Sequence, residues 1–384
     1  MNEIYFDNAA TTKPSRKIVE KMVSVLEEDY GNPSSLHIKG VVAERHIKNT
    51  SRILANILKV HEDEILYTSG GTESNNLAIL GVAYAYHRIG KHIITTKIEH
   101  PSVQKVFRYL EENGFEVTYL DVDSSGYVYL EQLKNSIKKD TILVSIMHVN
   151  NEIGTIQPIE EIGHIIKTIN VNTIFHADAI QSFGKIPISI KKNTIDLLSI
   201  SSHKFHGPKG IGVLYKKKDI RLKPLVFGGG QQKGLRAGTE NVPAIAALGL
   251  AAEDIYKDLD ANTKHIQSLK NMLWKALDKN IKDIYINGPS IEESAPHILN
   301  IIFKDIRAEV LLHALEARKI YVSTGSACSS NQPHPSDTLI NIGLNNEEIG
   351  GSIRFSFSKY NTEEEVKKCV QDLAEIVPML RIFK

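Results

Sequence analysis

The sequence predicts an α/β protein: a large domain with a mostly parallel seven-stranded sheet flanked by helices, plus a smaller α/β C-terminal domain. Two observations carry this. Apolar, strand-like runs recur at 64–68, 92–97, 115–121, 141–149, 173–176, 195–200 and 211–215. Between most of them lie amphipathic stretches of helical period, such as 101–113 and 158–169. That alternation is the pattern of a parallel sheet covered by helices on both faces, with ligands collecting at the carboxyl ends of the strands.

The length agrees, since 384 residues exceed what one hydrophobic core usually supports. From 242 to about 279 the pattern is helical almost throughout, a long connector into the second domain. Runs at 294–303 and 352–358 are expected as strands there, framing a Gly/Ser/Pro-rich loop. The division expected is 16–257 for the large, cofactor-binding domain. Residues 1–15 and 258–384 form the small one, carrying a loop at about 323–337.

Composition sets bounds on function. Hydrophobic residues at 42% and charged residues at 24% describe an ordinary globular chain. A net charge of +1 gives no field that would favour a nucleic-acid backbone or an anionic membrane, so neither partner is expected. The first residues lack a basic-then-apolar leader, and the apolar run 242–252 is too short to span a bilayer. With two cysteines there is no disulfide framework, as expected of a cytoplasmic protein.

The chemistry-bearing segments lie at the strand ends. Ser201-Ser202-His203-Lys204-Phe205-His206-Gly207 follows the run 195–200 and precedes the run 211–215. A desolvated lysine loses its charge easily and can form an imine with an aldehyde cofactor. A solvated turn lysine is the competing reading. Asp178 stands 26 residues upstream at the end of another run. An acid and a lysine at adjacent strand ends can grip the two poles of a pyridine ring, the acid keeping its nitrogen protonated.

Thr68-Ser69-Gly70-Gly71-Thr72-Glu73-Ser74 lies between a strand and a helix over 72–87, where glycines and a helix N-terminus suit a phosphate. It matches neither of the common nucleotide-binding glycine motifs, and a plain helix cap would look the same. Gly228-Gly229-Gly230 followed by Arg236-Ala237-Gly238-Thr239 is a second such patch, or a flexible loop.

The two cysteines differ in setting. Cys369 falls on the apolar stripe Val366, Cys369, Val370, Leu373 of a helix and reads as core. Cys328 lies among Gly, Ser, Asn and Pro, where a thiol is usable as a nucleophile or redox group. His203 and His206 with His176 do not make a convincing metal set, and no metal is expected. His100, at the strand-to-helix turn before Pro101, is a candidate stacking or proton-transfer group, or simply a turn histidine.

Taken together, these residues resemble the pyridoxal-phosphate-dependent cysteine desulfurases of the nitrogen-fixation and iron-sulfur-cluster type, within class V of the aminotransferase fold. The resemblance runs from Tyr5-Phe6-Asp7-Asn8-Ala9-Ala10-Thr11-Thr12 to Ser352-Ile353-Arg354-Phe355-Ser356. It includes Glu99-His100, Asn150-Asn151-Glu152-Ile153-Gly154, the Asp178 and Lys204 segments, Arg236 to Thr239 and Gly325-Ser326-Ala327-Cys328, all in family order. It implies pyridoxal 5'-phosphate as cofactor, Lys204 as its Schiff-base lysine and Asp178 as partner of the pyridine nitrogen. His100 would stack on the ring, and Asn151 and Gln181 would bond around its phenolate oxygen. Phosphate contacts are implied for Gly71, Thr72, Ser201 and His203, with Thr239 reaching across from a second subunit of a homodimer. Arg354 would take the substrate carboxylate, Asn151 would also contact the substrate, and Cys328 would take the sulfur of L-cysteine.

The acceptor implied is an iron-sulfur scaffold or a tRNA thiolation enzyme. The stretch from Cys328 to Pro335 is long, as in the nitrogen-fixation-like group, and the chain ends soon after Arg354, which leaves the scaffold partner open. An aminotransferase or lyase of the same fold, such as a selenocysteine lyase, is the alternative; it has no need of Cys328. A non-catalytic scaffold would tolerate loss of Lys204.

Overall fold

The computed structural model describes residues 3–324 and 335–382. The chain opens with strand β1 (Ile4–Tyr5) and helices α1 (Arg16–Glu27) and α2 (Ile38–Leu58). Strand and helix then alternate: β2 (Ile65–Thr68), α3 (Gly71–Tyr86), β3 (His92–Thr96), α4 (Pro101–Glu112) and β4 (Glu116–Leu120). They continue as α5 (Leu130–Ser136), β5 (Thr141–Met147), α6 (Ile159–Ile169), β6 (Ile174–Asp178), β7 (Leu197–Ser201) and β8 (Gly212–Lys216).

Strands β2 to β8 form one seven-stranded sheet in the order β2-β8-β7-β6-β5-β3-β4. Only β8 runs antiparallel to its neighbours, while the pairs from β7 to β4 are all parallel. Each strand lies within two residues of its expected bounds. Every residue of β5 and of β6 is buried, so these strands read as continuous apolar runs because helices cover both faces.

The helical stretch after 242 consists of two helices. α7 (Val242–Lys257) and α8 (Leu259–Asn280) break at Asp258, whose φ of −126° and ψ of 33° leave the helical region. The break separates two environments. Ala244, Ala247, Leu248, Ala251 and Ile255 of α7 pack with Phe183 and Phe205 beside the large sheet. Ile266, Leu269, Leu273 and Leu277 of α8 join a second core with Ile301, Phe303, Phe355 and Cys369.

That second core is built on β9 (Ile284–Ile286), β10 (Ile298–Phe303), α9 (Ala308–Ala317), β11 (Ile320–Tyr321), α10 (Asp337–Asn341), α11 (Asn346–Gly350), β12 (Ser352–Ser356) and α12 (Glu363–Ile382). Its antiparallel sheet has the order β12-β10-β9. The strand expected from 294 begins only at Ile298, because Lys270 Nζ holds the carbonyls of Ser294 (3.2 Å) and Ala295 (2.9 Å) in a loop. The chain start is tied into this half: β1 pairs with β11, and Asp7 bridges to Ser356. Leu339 of α10 and Ile342 return to the first core.

Candidate active site

The sheet delivers two of the predicted residues to one edge. Asp178 ends β6, and Ser201 ends the parallel neighbour β7, with Lys204 in the single turn of 3-10 helix that follows. Lys204 is only half-buried. Its Nζ donates to the carbonyls of Ala9 (2.6 Å) and Ala10 (2.9 Å), which the N-terminal segment brings over the sheet edge. Among the described residues, the buried lysines are Lys185 and Lys270, neither of which sequence reasoning singled out.

Asp178 is buried, and its carboxylate accepts from Ile180 N–H (2.9 Å) and from Asn75 Nδ2 (2.8 Å). Burial raises its pKa above the usual carboxylate range, with the two hydrogen bonds and the Lys204 cation pulling the other way. A group that holds a cationic ring nitrogen in such a place supplies the missing counter-charge.

His100 is the N-cap of α4, with Pro101 at the first helical position. Its Nδ1 accepts from Ser102 N–H at 3.1 Å and lies 2.8 Å from Ser102 Oγ. Burial, then the charge of Lys204, push its pKa down to about 4. His203 is likewise held at about 4, by burial and then Lys204 and Lys209, and its Nδ1 lies 3.1 Å from Thr11 Oγ1. Both rings are therefore neutral at pH 7.

Ser69, Gly70, Gly71, Thr72, Ser201, His203 and Lys209 line a cleft of about 370 Å³ at the N-terminus of α3. The first N–H groups of a helix have no intrahelical partner and favour an anion. Gly71 keeps this approach close: a Cβ would stand 2.2 Å from Ile180 Cδ1, so that side chain would have to turn aside, and 3.3 Å from Ser201 Cβ. A buried acid at one pole, a lysine at the other and an anion cleft beside them fit a phosphorylated pyridine aldehyde.

Gln181 is buried; its Nε2 donates to Ala9 O (3.0 Å) and its Oε1 lies 3.3 Å from His297 Nε2. The Asn151 carbonyl accepts from Arg354 Nη1 at 2.8 Å. Arg354 is 2% exposed, its Nη2 is bonded to Asp7, and its Nε has no partner among the described residues. Thr239 is exposed and does not line this cleft within its own chain. It faces a neighbouring depression of about 140 Å³ that shares Ser69 and Gly210 with the cleft. Arg236 is paired with Glu73 of α3 at 2.9 Å.

Cys328 lies outside the described residues. Cys369 is fully buried in the second core, and burial pushes its thiol well above its ordinary pKa, as its helical stripe predicted. Among the described residues no cluster of His, Cys, Asp or Glu could hold a metal ion, and no helix is long and apolar enough to cross a membrane. Sequence reasoning missed Asn75 and Ser102. Their only signal was position, Asn75 one turn beyond Gly71 and Ser102 two residues after His100.

Comparison with known proteins bears on this arrangement. Residues 4–369 match the aminotransferase class-V family. The chain is 44% identical to a cysteine desulfurase IscS of Dictyoglomus turgidum, over 99% of this chain and 95% of that protein. Among solved structures, a NifS-like protein superposes with a TM-score of 0.93 at 40% identity, covering 99% of this chain and 100% of the other. A structure described as SspA in complex with cysteine has a TM-score of 0.82 at 36% identity, covering 94% and 100%.

Proposed function

We propose, because this chain belongs to the class V aminotransferase family and to its cysteine desulfurases, that it removes sulfur from L-cysteine with the help of pyridoxal 5'-phosphate, giving L-alanine and a persulfide on Cys328. One observation carries the reading: Lys204, Asp178 and His100 gather at one sheet edge, where the Lys204 charge acts on both other residues.

In this reading Lys204 holds the aldehyde end of the cofactor and Asp178 its ring nitrogen. His100 stacks on the ring, while Asn151 and Gln181 flank the phenolate oxygen. Gly71, Thr72, Ser201 and His203 hold the phosphate, and Thr239 of a partner subunit completes the shell. When bound, the cofactor supplies an electron sink for charge developing at the substrate Cα. Arg354, oriented by Asp7 and the Asn151 carbonyl, takes the substrate carboxylate. The Lys204 amine removes the proton from Cα.

The Cys328 thiolate then attacks the substrate sulfur. An S–S bond forms and the C–S bond breaks. Its electron pair stays with the carbon fragment, which takes up one proton at Cβ, regains at Cα the proton that Lys204 had removed, and leaves as L-alanine. The persulfide passes to an acceptor, an iron-sulfur scaffold or a tRNA thiolation enzyme.

The division into a large domain, 16–257, and a small one, 1–15 and 258–384, is supported by the separate cores that α7 and α8 join on either side of Asp258, with Leu339 and Ile342 of the small domain packing on the first core. A two-fold dimer is supported by Val19, Val23 and Leu26, exposed apolar residues at helical spacing on α1 that form a strip of the kind a second subunit covers. A cytoplasmic location fits a chain with two cysteines that needs one of them as a thiol. Incubation with L-cysteine and a thiol should yield sulfide and alanine in equal amounts. Pyruvate, or alanine formed only when a keto acid is added, would defeat the reading.

A further inference from the structure

Behind the proposed cofactor site, a buried polar chain joins two of its residues. Asn75, fully buried in α3, uses both hydrogens of its amide: Nδ2 donates to Asp178 Oδ2 at 2.8 Å and to Ser102 Oγ at 2.9 Å. Ser102 in turn faces His100 Nδ1 with its hydroxyl (2.8 Å) and its backbone N–H (3.1 Å).

The hydrogen positions follow from donor logic. A backbone N–H can only donate, so His100 Nδ1 is an acceptor and the neutral ring carries its proton on Nε2. With Nδ1 bare, the Ser102 hydroxyl donates to it, and the Ser102 oxygen is left to accept from Asn75. The Asn75 amide cannot turn over, because its carbonyl would then face the Asp178 carboxylate. Its Oδ1 consequently has no partner among the described residues.

We propose that Asn75 and Ser102 are positioning residues that lock His100 as its neutral, Nε2-protonated tautomer and couple that state to the Asp178 carboxylate. This rests on the reading of Asp178 and His100 given above. It assigns His100 a narrower task than proton transfer. Nε2 already holds a hydrogen and Nδ1 accepts from two donors, so taking up a second proton means giving up both of those hydrogen bonds and is disfavoured. It serves as a flat, uncharged stacking surface and a hydrogen-bond donor from Nε2.

The charged groups around the ring agree. Lys204 opposes a second positive charge beside it. Glu99, the preceding residue, turns away to accept from Met147 N–H at 2.9 Å and Thr96 Oγ1 at 2.9 Å. Among the described residues, Asp178 is linked to the ring through Asn75 and Ser102.

Hydrogen–deuterium exchange at the imidazole C2 carbon, followed peptide by peptide by mass spectrometry, reports the titration of each histidine separately. In the wild-type protein, with or without cofactor, the His100 midpoint should lie well below that of an ordinary histidine. Ser102→Ala and Asn75→Leu should each raise it by about one pH unit, a tenfold change in protonation. Ser102→Thr, which keeps the hydroxyl, should restore it. The profile of His176, buried between Ser145 and Ser199, should stay fixed, since general loosening would move it as well. An ordinary wild-type midpoint, or an unchanged one in Ser102→Ala, overturns the lock. A shift in Ser102→Ala without one in Asn75→Leu overturns the coupling to Asp178. Absence of sulfide production by the wild type would instead overturn the desulfurase reading and leave these midpoints as they are.

Discussion

Arg354 Nη2 donates to Asp7 Oδ1 at 2.8 Å, an ion pair between residues near opposite ends of the chain, with the arginine 2% exposed. The pair fastens the N-terminal segment, whose Ala9 and Ala10 carbonyls hold Lys204, to strand β12. Removing one partner of a buried pair strands the other charge. Asp7→Ala should therefore cost about 3 kcal/mol, the lower part of the range for buried pairs, because the Asp7 side chain is 18% exposed. Asp7→Asn, which keeps an acceptor, should cost less. Urea unfolding measures both, and wild-type stability in Asp7→Ala would refute the role.

Cofactor attachment is predicted to depend on Lys204 alone among the lysines. The wild-type protein should be yellow, and borohydride followed by peptide mapping should tag Lys204. Lys204→Ala should lose turnover completely. A tag on Lys185, which is fully buried, would move the assignment there.

The cysteines should separate cleanly. Cys328→Ser should keep its colour and still respond spectrally to L-cysteine, yet release no sulfide, since a hydroxyl is a far poorer nucleophile than a thiolate. Cys369→Ser should retain activity and lose about 1–3 kcal/mol of stability, from placing a hydroxyl in a fully buried apolar site. Sulfide production by Cys328→Ser at the wild-type rate would refute the sulfur-transfer step.

Glu99 should give stability a pH dependence of known sign. Burial raises its pKa from 4.5 to about 8, so between these values the folded state keeps a proton that the unfolded state has released. This contribution is fully present below about pH 4.5 and is lost as pH rises towards 8, at up to about 1.4 kcal/mol per pH unit. The buried histidines, with lowered pKa values, act in the opposite sense and lose stability as pH falls below 6.5. The difference between wild type and Glu99→Gln isolates the carboxyl. A difference in unfolding free energy that is flat from pH 5 to 8 would contradict a raised pKa at Glu99.

Assembly is open to sedimentation. A dimer is expected, and Leu26→Glu on the exposed apolar face of α1 should weaken it. Thr239→Ala should reduce cofactor retention by about 1–3 kcal/mol if a phosphate oxygen loses its partner. A fully active monomer would exclude a composite site.

Local pattern determined much of this protein before any coordinate was known. Alternating apolar runs gave each strand of the large sheet within two residues, because a fully buried strand must be apolar along its length. Helical period placed Cys369 in the core, and the strand ends placed Asp178 and Lys204 at one edge of the sheet. The tertiary structure decided what period cannot encode. Asp178 meets Asn75, and Arg354 meets Asp7, only because strand order and the N-terminal crossing bring distant segments together. The same holds for the break at Asp258, where two helices part to follow different cores. Period reports which face of an element is buried. Which partner a buried polar atom finds depends on how the elements pack, and only packing fixed the charge and tautomer at His100.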